Sequence, residues 1–569
     1  MYRILLMAAL LFAAARLAAD PDLIMINGNV RTLDDDGKVY SALALEDARI
    51  LALGDSDTIG RMAAPNTRVI DLKGRTVLPG IQDHHVHPMG AGKELSACAF
   101  EQGASLDRIR QRVTACVADA QPGEWIFGSQ WDASALGGIP DAGMIDDISS
   151  QNPVVLTDTS GHSVWANSLA MKLAGITRDT PNPEGGVIEK RPDGEPGGVL
   201  RESAIALISA AAPPVDPAVL EKGFAWAVQQ MASYGITSFT EAAVGYIAGI
   251  DTEMTTVHRY ATSEGMPLRG RFCLTWMPAT GFQETDIDAL IEKRNRWAAP
   301  NVSVDCIKIF LDGVPTDSHT AAMLEPYADR VPGRDPHTED RGSLLVPQEV
   351  LNKALARFDA AGLTVKFHAA GDAAVRAGIN AVNYARQVNG LPGPSHDVGH
   401  ATFAAPGDFE LARKAGVTIE MSPYLWTPTP INDSITKAVG EPRIKRVWAI
   451  REALDAGALV VAGSDWAVVP SVNPWIAIET MITREKPGGS DTTFYGKEQA
   501  VTLDEAMRIF TRNGARHLGK SHELGTLAPG YLADLIIVDR DPWKIPVREL
   551  HTVRVDATIV GGKIVHGQP

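Results

Sequence analysis

Several features that would assign the chain to a common class of protein are scarce or missing. Basic residues are in deficit: 53 Lys and Arg stand against 69 Asp and Glu, the formal net charge is −16, and no long Lys/Arg run occurs. So acidic a protein repels phosphate backbones, which argues against nucleic acid as a partner. Cysteine is rare, with 4 residues and no CxxC pair, which argues against a thiolate zinc site. The 52 glycines and 36 prolines are ordinary usage for 569 residues and exclude a collagenous or low-complexity chain.

Long apolar runs are also scarce. The one that stands out, at residues 4–15, has twelve residues, too few to span a bilayer comfortably. It follows Arg3 and precedes the small residues at 17–19, a pattern that predicts a secretory signal peptide over 1–19, cleaved before Asp20. We therefore expect an exported protein, periplasmic or secreted, with no membrane span after cleavage. An uncleaved anchor or a wrongly assigned start is the alternative.

The four cysteines fall into two pairs with different expectations. Cys98 and Cys116 are close in sequence and outside the predicted strands, so they could form a disulfide in an oxidising compartment, and the sequence leaves this open. Cys273 and Cys306 lie inside strand-like runs, and we expect both to be buried thiols.

Both ends of the chain contain short strand-like runs. These runs lie at 23–28, 48–53, 67–71, 533–539 and 557–565, the last with a Gly-Gly turn typical of a hairpin. Two β-rich ends around a long middle predict that the termini meet in one small β-sandwich. Its parts would be residues 20–79 and 516–569, with one domain inserted between them at 80–515.

The middle of the chain alternates strand-like runs with helical patterns, which indicates a parallel α/β sheet. Eight strands are predicted, at 77–87, 236–242, 268–276, 304–311, 363–369, 397–403, 417–422 and 459–465. Eight strand–helix units are typical of a (β/α)8 barrel, in which catalytic groups lie at the carboxyl ends of the strands. The first two strands are separated by about 150 residues, so we expect an insertion at about 90–230 that roofs the active site.

Polar residues recur at the carboxyl ends of the predicted barrel strands. His85 and His87 end the first strand, and residues two apart on a strand point to the same side, so both can bind one ion. A barrel brings five such ends to one place, where burying so many polar groups without an ion would be unfavourable. The predicted metal ligands are His85, His87, Lys308, His368, His400 and Asp465.

The chain resembles the amidohydrolase superfamily, specifically the YtcJ-like branch (amidohydrolase family 3) that includes N-substituted formamide deformylases. The resemblance extends from about residue 23 to the carboxyl end. The motifs that carry it are LPGIQDHHVH at 78–87, IKIFLDG at 307–313, TAAMLEPY at 320–327, FHAAGD at 367–372, GSD at 463–465 and GTLAPGYLAD at 525–534.

The resemblance implies two divalent metal ions and assigns their ligands. His85, His87 and Asp465 would hold the more buried ion, and His368 and His400 the second. Lys308 would be carboxylated by CO2, and the resulting carbamate is an anion with two oxygens that can bridge the ions. Nitrogen and oxygen ligands without thiolate suit Zn²⁺, although Mn²⁺, Fe²⁺ or Co²⁺ could occupy the same set.

The resemblance also implies a mechanism. A water that bridges the two ions would lose a proton and attack a carbonyl carbon as hydroxide. Asp465 would accept that proton and pass it to the leaving nitrogen, as general base and then acid. His162, in the stretch GHSVWAN at 161–167, would be a catalytic, substrate-facing donor or else a loop-structuring residue. Trp466 directly follows Asp465 and is the candidate for a substrate contact. Other candidates for an apolar pocket, or for simple packing, are Trp131, Asp132, Tyr424 and Trp426.

Three positions depart from the family pattern, and the last two of them weaken any transfer of substrate specificity. His84 stands where Ser or Thr is common, and we expect it to face away from the metals. Gly399 replaces a usual Glu before His400, and His319 replaces a frequent Arg. Asp312, which follows the lysine strand, is read as part of a turn.

The sequence therefore predicts a metal-dependent hydrolase of carbon–nitrogen bonds acting on a small molecule, such as an N-acyl or N-formyl amine. Hydrolysis of an ester, lactone or cyclic amide at the same metals is a first alternative. A catalytically silent barrel with a binding or regulatory role is a second. The oligomeric state stays open, and a homodimer is compatible with this fold.

Overall fold

The computed structural model describes residues 20–94, 98–183, 185–277, 284–329, 339–390 and 392–569. The predicted signal peptide, residues 1–19, lies outside these ranges. Among the residues described, no helix combines the length and apolarity that crossing a bilayer requires.

The centre of the molecule is a sheet of eight parallel strands that pair in sequence order. We label them β1 to β8: Ile81–Val86, Ile236–Val244, Arg269–Trp276, Val302–Phe310, Thr364–Ala369, His396–His400, Val417–Met421 and Leu459–Ala462. Most of their residues are buried on both faces, as expected for a parallel sheet covered by helices. The predicted fold class, a (β/α)8-type barrel with a β-sandwich, is confirmed.

Helices follow the strands and cover the barrel. The helices of this layer are Pro88–Glu94, Pro217–Ser233, Ile250–Tyr260, Glu284–Lys293, Gln348–Ala360, Asp372–Asn389, Asp408–Ala415, Pro430–Val439, Ile450–Asp455, Pro474–Thr483, Leu503–Arg508 and Gly514–His517. The helix Pro217–Ser233 carries the usual start signals, since it begins with proline and Asp216 caps it. Helices and strands share one hydrophobic core, which includes Phe224, Phe272 and Phe358.

The barrel is closed between β8 and β1 by backbone contacts that also place a predicted ligand. The N–H of Asp465 donates to the carbonyl of His85 at 2.7 Å, and the N–H of Ser464 donates to the carboxylate of Asp83 at 2.9 Å. Gly463 permits this approach, because a Cβ there would lie 2.3 Å from the Cβ of His85. Closure thus brings Asp465 beside the first strand.

The first predicted strand, 77–87, is wrong as a single element. The structure has two strands there. Thr76–Pro79 lies in a sheet formed by strands from both ends of the chain, and Ile81–Val86 lies in the barrel. The chain changes sheets at Gly80, where a Cβ would lie 2.2 Å from the Thr237 hydroxyl oxygen. An apolar run cannot reveal such a change of sheet from its composition alone.

The insertion between β1 and β2 forms its own mixed sheet. Its strands, in spatial order, are Gly186–Lys190, Pro196–Glu202, Ser163–Ala166, Val154–Asp158, Ile126–Trp131 and Cys98–Ala99. Its helices are Leu106–Asp119, Gly143–Asp146, Ser168–Leu173 and Ile205–Ser209. The insertion ends before the predicted residue 230, because Pro217–Ser233 packs on the barrel helix Pro88–Glu94, with Gly92 against Gly223.

The strands at the two ends of the chain form two further sheets, and the second of them combines strands from both ends. One has the order Arg49–Gly54, Ala42–Glu46, Leu23–Ile26 and Arg68–Asp71, with the helix Ser56–Gly60 beside it. The other has the order Lys563–Gly567, Val555–Val560, Leu535–Val538, Thr76–Pro79, Asn29–Arg31 and Val39–Tyr40. Leu23, Val77, Leu535 and Ile559 belong to the hydrophobic cluster between them.

Both cysteine pairs form disulfides. Cys98 bonds Cys116, which answers the question the sequence left open, although Cys98 lies in a short strand rather than outside one. The prediction that Cys273 and Cys306 are free thiols is wrong, because they are bonded to each other. They are neighbours in the register of β3 and β4, so their side chains project from adjacent backbones.

Replacing Cys273 and Cys306 together by alanine is expected to lower the free energy of unfolding by about 2–4 kcal/mol, since the bond closes a loop of 33 residues in the unfolded chain. Chemical denaturation of both proteins under non-reducing conditions measures the difference. Unchanged stability would mean that the bond does not constrain the unfolded chain.

Candidate metal centre

Three predicted ligands converge at the carboxyl end of the barrel. His85 is the penultimate residue of β1, His87 directly follows that strand, and Asp465 follows β8. Asp465 Oδ1 lies 3.3 Å from His87 Nε2 and 3.7 Å from His85 Nε2. One donor atom from each of the three residues lies within 4.8 Å of the others, the arrangement of a possible metal site.

The other two predicted histidines adjoin this group. The ring centre of His400 lies 4.5 Å from that of His85 and 4.6 Å from that of His368. His400 Nδ1 lies 3.9 Å from Asp465 Oδ2, so this carboxylate contacts histidines on both of its sides. The four histidines and Asp465 therefore form one continuous cluster.

Lys308 lies on β4 and lines the same cavity as the histidines. Its side chain is buried, with Nζ 4.9 Å from the ring centre of Phe310. Burial, together with the positive charge of nearby Lys366, lowers the pKa of Lys308 to about 7. In a substantial fraction of the protein molecules Lys308 is then a neutral amine, the form that reacts with CO2.

The backbone is unusual at two of the predicted ligands. His400 has φ 66° and Asp465 has φ 60°, in the left-handed region that residues other than glycine seldom adopt. Such conformations persist where surrounding structure enforces them, and they cluster at functional sites. Here they direct both side chains toward the cluster.

Carboxylates that the sequence did not single out orient the histidines. Glu420 Oε2 lies 2.6 Å from His85 Nδ1, and Glu241 Oε1 lies 3.2 Å from His87 Nδ1. A carboxylate accepts the hydrogen of Nδ1 and so leaves Nε2 free to bind a metal. Each acid is the one charged residue of its buried strand, Glu420 on β7 and Glu241 on β2. An isolated charge within a buried strand is the signal that could have revealed them.

Asp312 has the same role for the fifth strand, and its interpretation as part of a turn is wrong. Its Oδ1 accepts from His368 Nδ1 at 3.2 Å and from the N–H of Ala370 at 3.0 Å. Its Oδ2 accepts from the N–H groups of Gly371 and Ala322. Asp312 therefore fixes His368 and the loop that follows it.

The protonation of the histidines suits metal binding. Burial, with nearby positive charge, lowers the pKa of His85, His368 and His400 well below 6.5, so these rings are neutral. Burial also acts to lower the pKa of His87, but hydrogen bonds with Asp465 and Glu241 outweigh it and raise that pKa to about 9. A bound metal cation could replace the proton that His87 shares with Asp465 and Glu241. The positive charge beside these two carboxylates would then be kept.

These residues fit a divalent cation. Imidazole nitrogens and one carboxylate converge, acids engage the outer nitrogens of His85 and His87, and Lys308 lies in the same cavity. Nitrogen and oxygen donors of this kind are those that zinc accepts in proteins.

His162, from the insertion, reaches the cluster. Its ring centre lies 5.0 Å from that of His368, and its Nδ1 lies 2.9 Å from Glu202 Oε2. Although burial opposes protonation, Glu202 raises the pKa of His162 to about 9. His162 is thus a hydrogen-bond donor that lines the cavity.

The cavity has a volume of about 1110 Å³ and lies between the barrel mouth and the insertion. The residues Trp131, Asp132, Tyr424, Trp426 and Trp466, all of them described, do not line it. The structure thus does not bring Trp466 to the cluster, and its ring packs on Trp226, 5.6 Å away between centres. The aromatic residues that do line the cavity are Trp125, Phe127, Tyr246, Phe310 and Trp448.

The three departures from the family pattern lie outside the cavity lining. His84 faces away from the cluster, as expected, with its ring against that of His517. His319 stacks on Tyr327 and pairs with Asp340. Gly399 lies behind His85.

Proteins of known sequence resemble this chain over nearly its whole length. Putative amidohydrolase YtcJ of Bacillus subtilis (strain 168) is 26% identical, covering 95% of this chain and 98% of that protein. The N-substituted formamide deformylase of Arthrobacter pascens is 28% identical, covering 95% and 97%. Protein LONG AFTER FAR-RED 3 of Arabidopsis thaliana is 29% identical, covering 95% and 91%.

Solved structures share the fold. An uncharacterized metal-dependent hydrolase from Pyrococcus furiosus matches with a TM-score of 0.69 at 24% identity, covering 92% of this chain and 100% of that one. A second, from Pyrococcus horikoshii, matches with a TM-score of 0.71 at 22% identity, covering 92% and 99%. The amidohydrolase family model matches residues 68–566, which include the whole barrel and the insertion, and the chain therefore belongs to the amidohydrolase family.

Proposed function

We propose that this metal-dependent hydrolase cleaves the carbon–nitrogen bond of small N-acyl or N-formyl amines that carry an apolar substituent. The observation that carries the proposal is the convergence of His85, His87, His368, His400 and Asp465 at the barrel mouth, with Lys308 in the same cavity. The likeness to an N-substituted formamide deformylase supports the choice of bond.

The six proposed ligands lie on five barrel strands or the loops that follow them, and the first strand supplies two of them. His85, His87 and Asp465 would hold one ion, His368 and His400 a second, and carboxylated Lys308 would bridge them. Bound divalent cations, with zinc the best match to the donors, would polarise the carbonyl group and acidify water.

The chain's own groups would manage the protons. Asp465, placed between His87 and His400, would accept a proton from the attacking water and deliver it to the leaving nitrogen. The products are then a carboxylate and an amine. His162, held by Glu202, would donate a hydrogen bond to the carbonyl oxygen of the substrate.

The mouth of the cavity supports an apolar substituent on the substrate. Val219, Tyr246 and Met277 line the cavity yet are 39%, 51% and 57% exposed, unusually high for large apolar side chains. Exposed apolar surface of this kind marks ligand-binding grooves.

A homologous series of amides tests the apolar mouth. Each added methylene on the substrate should raise kcat/KM by about fourfold until the mouth is filled, because burying one contributes about 0.8 kcal/mol. Initial rates for alkyl amides of increasing length measure the slope. A flat or falling series would contradict an apolar subsite.

Parallel assays of amides and their matching esters, before and after chelation and again after metal is restored, test the reaction. Amide hydrolysis that chelation abolishes and metal restores is expected. Activity confined to esters or lactones would mean that the enzyme cleaves a carbon–oxygen bond and not the proposed carbon–nitrogen bond. A folded protein that binds metal yet hydrolyses neither class would favour a binding or regulatory role.

We also propose that the protein is exported. The signal-like segment at residues 1–19 and the two disulfides support this, since disulfides persist in oxidising compartments. Mass analysis of the secreted or periplasmic protein should find a chain that begins at Asp20. Retention of the whole chain in the cytoplasm would contradict export.

A further inference from the structure

A buried carboxylate lies directly behind the metal-facing ring of His85. Glu420, on β7, is fully buried, and its Oε2 lies 2.6 Å from His85 Nδ1. Ser422 Oγ lies 3.5 Å from Glu420 Oε1 and 3.4 Å from His400 Nδ1. The acid therefore contacts one predicted ligand directly and another through a hydroxyl group.

A buried ammonium group balances this acid. Lys366 Nζ lies 3.5 Å from Glu420 Oε2 and also contacts the carboxylate of Asp397. The side chains of all three are at most 2% exposed. A buried charge without partners would be strongly destabilising, and the ammonium group of Lys366 provides a partner for the Glu420 carboxylate.

The approach of Glu420 depends on the absence of a side chain on the neighbouring strand. A Cβ at Gly399, on β6, would lie 2.7 Å from Glu420 Oε2, 2.7 Å from the backbone carbonyl oxygen of Phe367 and 3.4 Å from His85 Nδ1. The φ of Gly399 is not positive, so its backbone conformation does not demand glycine. The space that Glu420 and the Phe367 carbonyl occupy is the feature that requires glycine here.

We propose that Gly399 and Glu420 act as a pair, in which the missing side chain admits the carboxylate that positions His85 for metal binding. Glu420 is a positioning residue: it holds the hydrogen on Nδ1, orients the ring and leaves Nε2 toward Asp465. The inference rests on the metal centre of the proposed function and is independent of the bond that is cleaved.

Metal affinity in four proteins tests the pair: unchanged, Glu420→Ala, Gly399→Ala and the double variant. Competition with a chromogenic chelator for Zn²⁺ gives the dissociation constants, and elemental analysis gives the stoichiometry. Glu420→Ala should weaken Zn²⁺ binding about 10- to 100-fold, the usual effect of removing a carboxylate behind a ligand histidine. Gly399→Ala should weaken it by displacing Glu420.

The double variant separates a shared role from two independent ones. When Gly399 acts only by admitting Glu420, its replacement has no further effect on affinity once Glu420 is alanine, so the two effects do not add. Effects that add, or a folded Glu420→Ala protein with unchanged affinity, would overturn the proposal. Should Glu420→Ala fail to fold, Glu420→Leu fills a similar volume without an oxygen that accepts from His85 Nδ1, and it carries the same test.

Glu479 provides a matched control. It is also a buried acid bonded to a histidine, with Oε2 2.7 Å from His551 Nδ1, and neither residue lines the cavity. Glu479→Ala should leave Zn²⁺ affinity unchanged. An equal loss in this variant would show a general effect of destabilisation and overturn the proposal. Failure of the unchanged protein to bind Zn²⁺ would refute the metal centre itself, whereas normal binding without amide hydrolysis would refute only the reaction.

Discussion

Replacing Asp465 by asparagine is expected to lower kcat about 10³-fold while bound metal is retained. Asparagine keeps the size of the side chain and one oxygen beside His85 and His87, so it can still act as a ligand. It cannot accept and return a proton, and general acid–base catalysis contributes about 10² to 10⁴ in rate. The loss should therefore appear in kcat with little change in metal content.

Steady-state rates and elemental analysis of the same preparation measure both quantities. Asp408→Asn is the control, since Asp408 is buried and pairs with Arg376 but does not line the cavity. A near-native rate in the Asp465 variant would refute the role of this residue in proton transfer.

Replacing Lys308 by alanine is expected to lower kcat by about 10³-fold or more. If its carbamate bridges two cations, its removal weakens the hold on both, and metal ions contribute several kcal/mol to a hydrolytic transition state. Lys308→Arg should be as inactive, because arginine keeps a positive charge but forms no carbamate at this position. An arginine variant with native activity would mean that a cation, and not a bridge, is needed here.

Rescue by a small carboxylate sharpens the test of Lys308. Lys308→Ala leaves space in the cavity where the carbamate would lie, and acetate offers the same two oxygens. Added acetate should restore part of the activity of the alanine variant and none of that of the arginine variant, which keeps the space filled. Equal behaviour of both variants with acetate would contradict a bridging anion.

The strand ends could be predicted because the pattern is local. Apolar runs that end in a histidine, lysine or aspartate mark barrel strands, and the fold brings those ends together whatever the sequence between them. The sequence could not show which acid orients which histidine, because 335 residues separate His85 from Glu420. Only the strand order places Glu420 behind that ring.

The errors also have physical reasons. Trp466 is adjacent to Asp465 in sequence, but its ring packs on Trp226 and does not line the cavity, so adjacency to a ligand did not predict where the side chain lies. Cys273 and Cys306 became bonded because two strands that are neighbours in the barrel place them in register. The second fact is visible only once the register of the sheet is known.

X-ray anomalous diffraction from crystals of the purified protein grown with Zn²⁺, at wavelengths on both sides of the zinc absorption edge, tests the metal centre most directly. We expect two zinc peaks at the barrel mouth, one beside His85, His87 and Asp465 and one beside His368 and His400, with density for a carbamate on Lys308 between them. Folded protein without a peak at these side chains, or with zinc bound only elsewhere, would contradict it.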